Sequence, residues 1–391
     1  ACLKNFAMEI FECSGIEPNP KVESVRKGIE ICKQNKIDVV LAVGGGSVMD
    51  ASKFISVGSC VDFDVWDFIA KKLPVEKSLP LLCVLTISAT GSEMDNTAVL
   101  NNSATQDKLA LINDKLFPAA SFCDPVLTYS VGKYQTACGS ADILSHLFEV
   151  YFNFNQDLYM LDTQMEGMMK TVLKYAPIAL KEPENYEARA NLMWTSSWAI
   201  NGYIYGCNKN PWSCHAMEHQ LSGVYDITHG LGLAILTPHW MEYVLDERTL
   251  PKFYDFAVNV CGIPKTEDKL KAAKEGIEYV KNFFFNQLEL KNSLSAIGID
   301  DKNFKMMAVK ACGANGFING WKKMRASTAP KILNNVCTRA ARFASMFASE
   351  AAILAEIVVP IFSPITIAAA ILKLIQPAPS ITIVIVTAPV D

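Results

Sequence analysis

From residue 9 to about 125 the chain alternates short apolar runs with helical periodicity, and this alternation restricts the fold more than any single residue does. The runs "EIFEC", "DVVLAV", "LPLLCVLT", "LALIND" and "ASFCDP" read as strands, and "VESVRKGIEICKQN" between the first two carries apolar residues at helix spacing. Strands alternating with helices in this way build a parallel α/β sheet. After Asp124-Pro125 the strand-like runs stop, and segments such as "DLYMLDTQMEGMMKTVLKYAPIAL" and "YEARANLMWTSSWAINGYIYG" are long and helical. The expected organisation is therefore α/β plus all-α: a Rossmann-like parallel-sheet cofactor domain over 1–127, a helical domain over 128–324, and an atypical apolar tail over 325–391.

A chain of 391 residues, half of them hydrophobic, has room for two domains with separate cores. The net charge of -4 comes from interspersed charges, so no basic stripe is present of the kind nucleic acid requires. Twelve cysteines are scattered singly from Cys2 to Cys337 without a CxxC pair, which reads as reduced thiols in a cytoplasmic protein. The opening "ACLKNFAMEIFEC" lacks Met and resembles the end of a helix followed by a strand, so the cofactor domain reads as truncated. In the tail no glycine follows Gly320, and the last 49 residues hold only Glu350, Glu356, Lys373 and Asp391 as charges. Its stretch "AAILAEIVVPIFSPITIAAAIL" is nearly long enough to span a bilayer, but Pro360, Pro364 and Glu356 argue against a plain spanning helix. A fusion scar, a frame error or a docking tail fits it better, and no membrane partner is expected.

Two loops carry the marks of a phosphate site. In "DVVLAVGGGSVMDASKFIS", residues 38–56, a strand runs through glycines into a helix, so the amides of Gly45, Gly46 and Ser47 open a helix whose positive end favours a pyrophosphate. The GxGxxG spacing of the usual dinucleotide fingerprint is absent, and an ordinary tight turn is the plain alternative. The second loop, "LTISATGSEMDNTAV" at 85–99, follows another apolar strand and offers the hydroxyls of Thr86, Thr90 and Ser92. Small and hydroxylated residues after successive strands suit a nucleotide lying at the carboxyl edge of a sheet.

All five histidines fall between residues 146 and 239, three of them in "SCHAMEHQLSGVYDITHG" at 213–230. Asp142 and His146 are four apart, as are His215 and His219, so each pair projects from one helix face. His229 follows the turn "GVYDIT", where the chain can reverse. One carboxylate and imidazoles suit Fe²⁺ or Zn²⁺, and spacing does not choose among the imidazoles of 215, 219 and 229. The string "HAMEH" also matches HxxEH, which would make a zinc hydrolase with Glu218 as general base between His215 and His219. That reading leaves both phosphate-like loops without a role.

Taken together, "GGGSVMDASK", "ATGSEMD", "GSADILSHLFE" and "CHAMEHQLSGVYDITHGLGLAILTPH" occur in the same order as in the iron-dependent (group III) alcohol dehydrogenases, and the chain resembles their butanol dehydrogenase branch from about residue 6 to 324. The resemblance implies an active site in the cleft between a nicotinamide-binding domain and a helical metal domain. It implies metal ligands at Asp142, His146, His215 and His229, and a proton-relaying role for His219 beside the nicotinamide. It places the pyrophosphate loop on Gly45, Gly46 and Ser47 with Asp50 and Lys53 on the helix they open, the second cofactor loop on Thr86, Thr90 and Ser92, and a cofactor-approaching lysine on Lys108. His239 is left structural. The implied reaction is hydride transfer between NAD(P)H and a small aliphatic aldehyde such as butanal, with iron inherited over zinc, a lean toward NADP(H), and a homodimer or larger assembly. A glycerol- or diol-specific relative of the same fold is the alternative within that family. The resemblance also implies a segment ahead of residue 1, carrying a first strand, and has no counterpart for the tail.

Overall fold

The computed structural model describes residues 8–152, 158–205, 212–327, 329, 332 and 381–388. In the first third, β1 (Met8–Cys13), α1 (Val22–Gln34), β2 (Val39–Gly44), α2 (Gly46–Gly58), the single turn α3 (Asp67–Ala70) and β3 (Leu81–Leu85) alternate as the periodicity requires. β4 (Thr97–Asn102) and β5 (Asp107–Ile112) then form an antiparallel hairpin, and β6 (Ala120–Phe122) returns to the main sheet. The run "LALIND" thus lies outside the parallel sheet in which the alternation placed it. Only residues 103–106 separate β4 from β5, too few for the crossover that a parallel pair needs.

The remainder is built from α4 (Lys133–Tyr151), α5 (Tyr159–Lys181), α6 (Tyr186–Trp198), α7 (Ser213–Tyr225), α8 (His229–Val244), α9 (Leu250–Asn259), α10 (Lys269–Asn282) and α11 (Phe304–Cys312). The two-residue strands β7 (Phe317–Ile318) and β8 (Met324–Arg325) pair antiparallel, so this part is helical with one small ribbon rather than wholly helical. α4 is buried along its length from Thr136 to Tyr151, the mark of a central helix with neighbours on all sides. Phe148, Tyr151 and Phe152 at its end pack with Phe253, Phe256 and Trp240 into the aromatic heart of the helical core.

The last strand is β9 (Ile381–Thr387), and it corrects the expectation that strands end near residue 125. It lies inside the main sheet, whose order is β1-β9-β2-β3-β6 with every pairing parallel. Glu9 pairs with Thr382 on one side and Val40 with Val384 on the other, and Ile383, Val384 and Val386 are buried. A strand hydrogen-bonded along both edges and covered on both faces is a near-continuous β-branched run, and "ITIVIVT" is one. The bilayer-length stretch of the tail, 351–372, lies outside the described residues; among those described, no helix is long and apolar enough to cross a membrane.

Candidate metal and nucleotide site

Three helices converge on Asp142. α4 carries Asp142, His146 and Glu149 on successive turns of one face, and α7 carries His215, Glu218, His219 and Ser222 in the same manner. Asp226 ends α7 in the left-handed conformation at φ 53°, the chain reverses over Ile227 and Thr228, and α8 opens on His229. Gly230 lets α8 sit against α4: a Cβ there would stand 2.6 Å from the Cys138 carbonyl carbon.

The geometry centres on one oxygen. Oδ1 of Asp142 lies 3.3 Å from Nε2 of His146, 3.7 Å from Nε2 of His229 and 4.0 Å from Nε2 of His215. Ligand atoms of Asp142, His215 and His229 fall within 4.8 Å of one another, with His146 beside that trio and its ring stacked 5.1 Å from His215. Asp142 Oδ1 and His215 Nε2 are buried and have no hydrogen-bond partner. Buried acceptors facing one another without a donor are costly, and a divalent cation between them removes that cost, so the donor set fits such an ion. Burial also pushes the His146 imidazole down to about 3, which keeps it neutral, the form that binds metal.

Two glutamates back the histidines. Glu149 Oε2 lies 2.6 Å from Nδ1 of His215, and its carboxylate accepts the backbone amides of Cys214 at 2.7 Å and His215 at 2.8 Å. Glu218 meets Nδ1 of His229 and accepts the Ser222 hydroxyl. Burial raises the Glu218 carboxyl, but His229 and Lys108 outweigh it and draw the group well below its ordinary range. Fully buried and engaged on both oxygens, Glu218 is not placed as the water-facing base that the HxxEH reading required. Neither buried glutamate role was read from the sequence, although Glu149 stands seven residues from Asp142, on the face already picked out.

His219 is partly exposed, 5.6 Å ring to ring from His229 and 6.3 Å from His215, and burial with Lys108 and His229 pushes it well below the usual histidine value. Trp212 packs on His215 at 4.7 Å and on His146 at 5.3 Å. Phe148 and Leu221 are buried in the helical core. His239 pairs with Glu242 on its own helix, away from the cluster.

At the sheet edge, β2 runs through Gly44 to Gly45, the uncapped N-cap of α2, and the first turn of α2 holds no acidic residue. Its first amides are therefore free to meet an anion. The two glycine-bearing loops touch: a Cβ on Gly46 would clash with the Thr90 side chain, and one on Gly45 with Ile87. Thr86 extends the edge, its amide bonded to the Gly44 carbonyl at 3.0 Å. Ser92 and Asp50 turn toward each other instead of outward: the Ser92 hydroxyl donates to Asp50 Oδ1 at 2.7 Å, and the Val99 amide donates to Oδ2 at 2.9 Å. Lys53 is likewise buried, 2.5 Å from Asp95. Lys108 belongs with the histidine cluster: its Nζ donates to Asn19 Oδ1 at 2.9 Å and lies 3.4 Å from Nδ1 of His229 and 3.7 Å from Glu218.

The model of the iron-containing alcohol dehydrogenases matches residues 1–125, and that of the C-terminal part of the Fe-containing alcohol dehydrogenase family matches 136–337. The chain belongs to the iron-containing alcohol dehydrogenase family. NADH-dependent butanol dehydrogenase A of Clostridium acetobutylicum is 47% identical over 316 residues, which are 81% of each chain. The NADPH-dependent aldehyde reductase YqhD of Escherichia coli is 34% identical across 78% of each. The crystal structure of NADH-dependent butanol dehydrogenase A from Thermotoga maritima superposes with a TM-score of 0.80 at 34% identity, covering 86% of this chain and 85% of that one. This iron-containing alcohol dehydrogenase is thus an oxidoreductase of alcohols and aldehydes that works with a nicotinamide cofactor, and its parallel sheet joined to a helical part is the family fold.

Proposed function

We propose that the protein interconverts butanal and butanol with NADH, and that Asp142, His146, His215 and His229 hold the metal, Fe²⁺ in the first instance. The observation that carries the ligand assignment is the pair of buried, partnerless acceptors, Asp142 Oδ1 and His215 Nε2, facing the same point. The metal supplies Lewis-acid polarisation of the carbonyl oxygen, and the nicotinamide supplies the hydride. The lean toward NADP(H) gives way to NADH because the relative at 47% identity is named for NADH and the NADPH enzyme stands at 34%. A diol-specific reading is weaker, the relatives named for 1,3-propanediol standing at 28% identity against 47% for the butanol dehydrogenase.

The chain's own residues divide the remaining work. The open amides of Gly45, Gly46 and Ser47 receive the pyrophosphate, with Thr86 and Thr90 beside them. Asp50 and Ser92 brace the two loops against each other through their hydrogen bond. Lys108 packs against Glu218 and His229 at the cluster. His219, kept neutral, relays a proton by accepting at one ring nitrogen and releasing from the other. His219→Gln is expected to lower kcat by roughly a hundredfold with metal content unchanged. A cytoplasmic location and a homodimeric or larger assembly follow the same resemblance, the latter checked by sedimentation.

The test replaces His215 and His229 by Ala and follows metal content and NADH oxidation by butanal, with 1,3-propanediol and NADP⁺ as the competing pair in the reverse direction. Joint loss of metal and turnover is expected. Full turnover in a metal-free variant overturns the ligand assignment.

A further inference from the structure

Two of the three imidazoles around Asp142 have a carboxylate at their outer nitrogen, and the third does not. His215 has Glu149 Oε2 at 2.6 Å from Nδ1, His229 has Glu218 against Nδ1, and Nδ1 of His146 is buried without a partner. Each glutamate has further partners that hold its carboxylate in place. Glu149 is pinned by the amides of Cys214 and His215 at the start of α7, and Glu218 by the Ser222 hydroxyl, with Lys108 at 3.7 Å. Gly232 contributes from α8, since a Cβ there would come within 2.8 Å of Glu218 Oε1.

We infer that Glu149 and Glu218 are positioning residues that fix His215 and His229 in the Nδ1–H tautomer, so that both Nε2 lone pairs are aimed at the point beside Asp142 before any ion arrives. A carboxylate at Nδ1 accepts that proton, orients the ring plane and makes the opposite nitrogen more basic. The charges agree with this arrangement: Asp142, Glu149 and Glu218 contribute three negative charges, and Lys108 with one divalent ion contributes three positive. Glu218 has a second consequence. It stands between His229 of α8 and Lys108 of β5, so the same carboxylate ties the ligand cluster to the hairpin of β4 and β5.

This inference rests on the ligand set proposed above, and its test separates the two. Histidine-selective ¹⁵N labelling of the metal-free full chain at alkaline pH reads the tautomer of each imidazole directly. The expected result is Nδ1–H for His215 and His229, with Glu149→Gln disturbing His215 alone and Glu218→Gln disturbing His229 alone. Chelator competition then shows Zn²⁺ or Co²⁺ affinity reduced roughly 10- to 100-fold in each variant, with an altered Co²⁺ absorption band. Nε2–H tautomers in the wild-type chain overturn the inference without any variant having to fold. So do unchanged ring signals and unchanged affinity in well-folded Glu149→Gln and Glu218→Gln. Failure of the wild-type chain to bind metal, with Nδ1–H tautomers intact, counts against the ligand assignment and not against the glutamates.

Discussion

Gly230 is where the backbone of α8 touches that of α4, and the atoms nearest a methyl group there are main-chain atoms of Cys138, which cannot turn aside as a side chain can. Those two helices carry Asp142, His146 and His229, so the strain is delivered to the site. Gly230→Ala is expected to destabilise the fold by about 1 to 3 kcal/mol and to weaken metal binding as well, as read by thermal unfolding and chelator competition. A stable variant with unchanged affinity would mean the contact is yielding. Asp50 makes a pH-dependent prediction. Burial raises its carboxyl from 3.8 to about 6, more than Lys53, the Ser92 hydroxyl and the Val99 amide lower it. Between those values the folded chain keeps a proton that the unfolded chain has released, so a contribution to stability present below about pH 4 is lost as pH rises through about 6. Relative to wild type, Asp50→Asn should therefore gain about 2 to 3 kcal/mol between those limits, at about 1.4 kcal/mol per unit, in urea denaturation. An equal difference at both ends contradicts the raised carboxyl.

At the scale of elements, the local periodicities were legible because each depends on near neighbours. The four-residue spacing of Asp142 and His146, and of His215 and His219, needs only a helix to become a shared face, and the glycine-rich step from β2 to α2 needs only a strand before it. The run "LALIND" reads as a strand of the parallel sheet, and its antiparallel partner β4 is not read as a strand, because apolar content alone does not show that the connection is too short for a crossover. Pairing between distant segments was not legible. "ITIVIVT" has the composition of a buried strand, but nothing local states that it enters between β1 and β2, more than 340 residues away in the chain. Glu149 was missed for a related reason: a glutamate on a buried helix announces that it has a partner, and only packing shows that the partner is His215. The position of β9 is tested by Val384→Asp, which puts a charge on a fully buried side chain in the middle of the sheet. A loss of about 3 kcal/mol or more is expected in denaturant unfolding, and a near-neutral effect would place this strand outside the sheet interior.

Across the whole molecule, some of the polar contacts by which the sheet part meets the helical part lie at the same cluster. Asn19, in the loop before α1, donates to Asp226 Oδ1 and to the Ile227 carbonyl, both at 3.0 Å, and accepts from Lys108; Lys108 in turn faces Glu218 and His229. The turn that delivers His229 is thereby fastened to the loop between β1 and α1 and, through Lys108, to the hairpin of β4 and β5. If Asp142, His146, His215 and His229 hold a metal as proposed, turnover needs that ion as well as the nicotinamide. The most direct measurement is NADH oxidation by butanal under anaerobic conditions, with metal-stripped protein to which Fe²⁺ or Zn²⁺ is returned. The predicted result is no turnover in the stripped enzyme and restoration on adding the ion. Turnover undiminished by complete removal of metal would contradict the account.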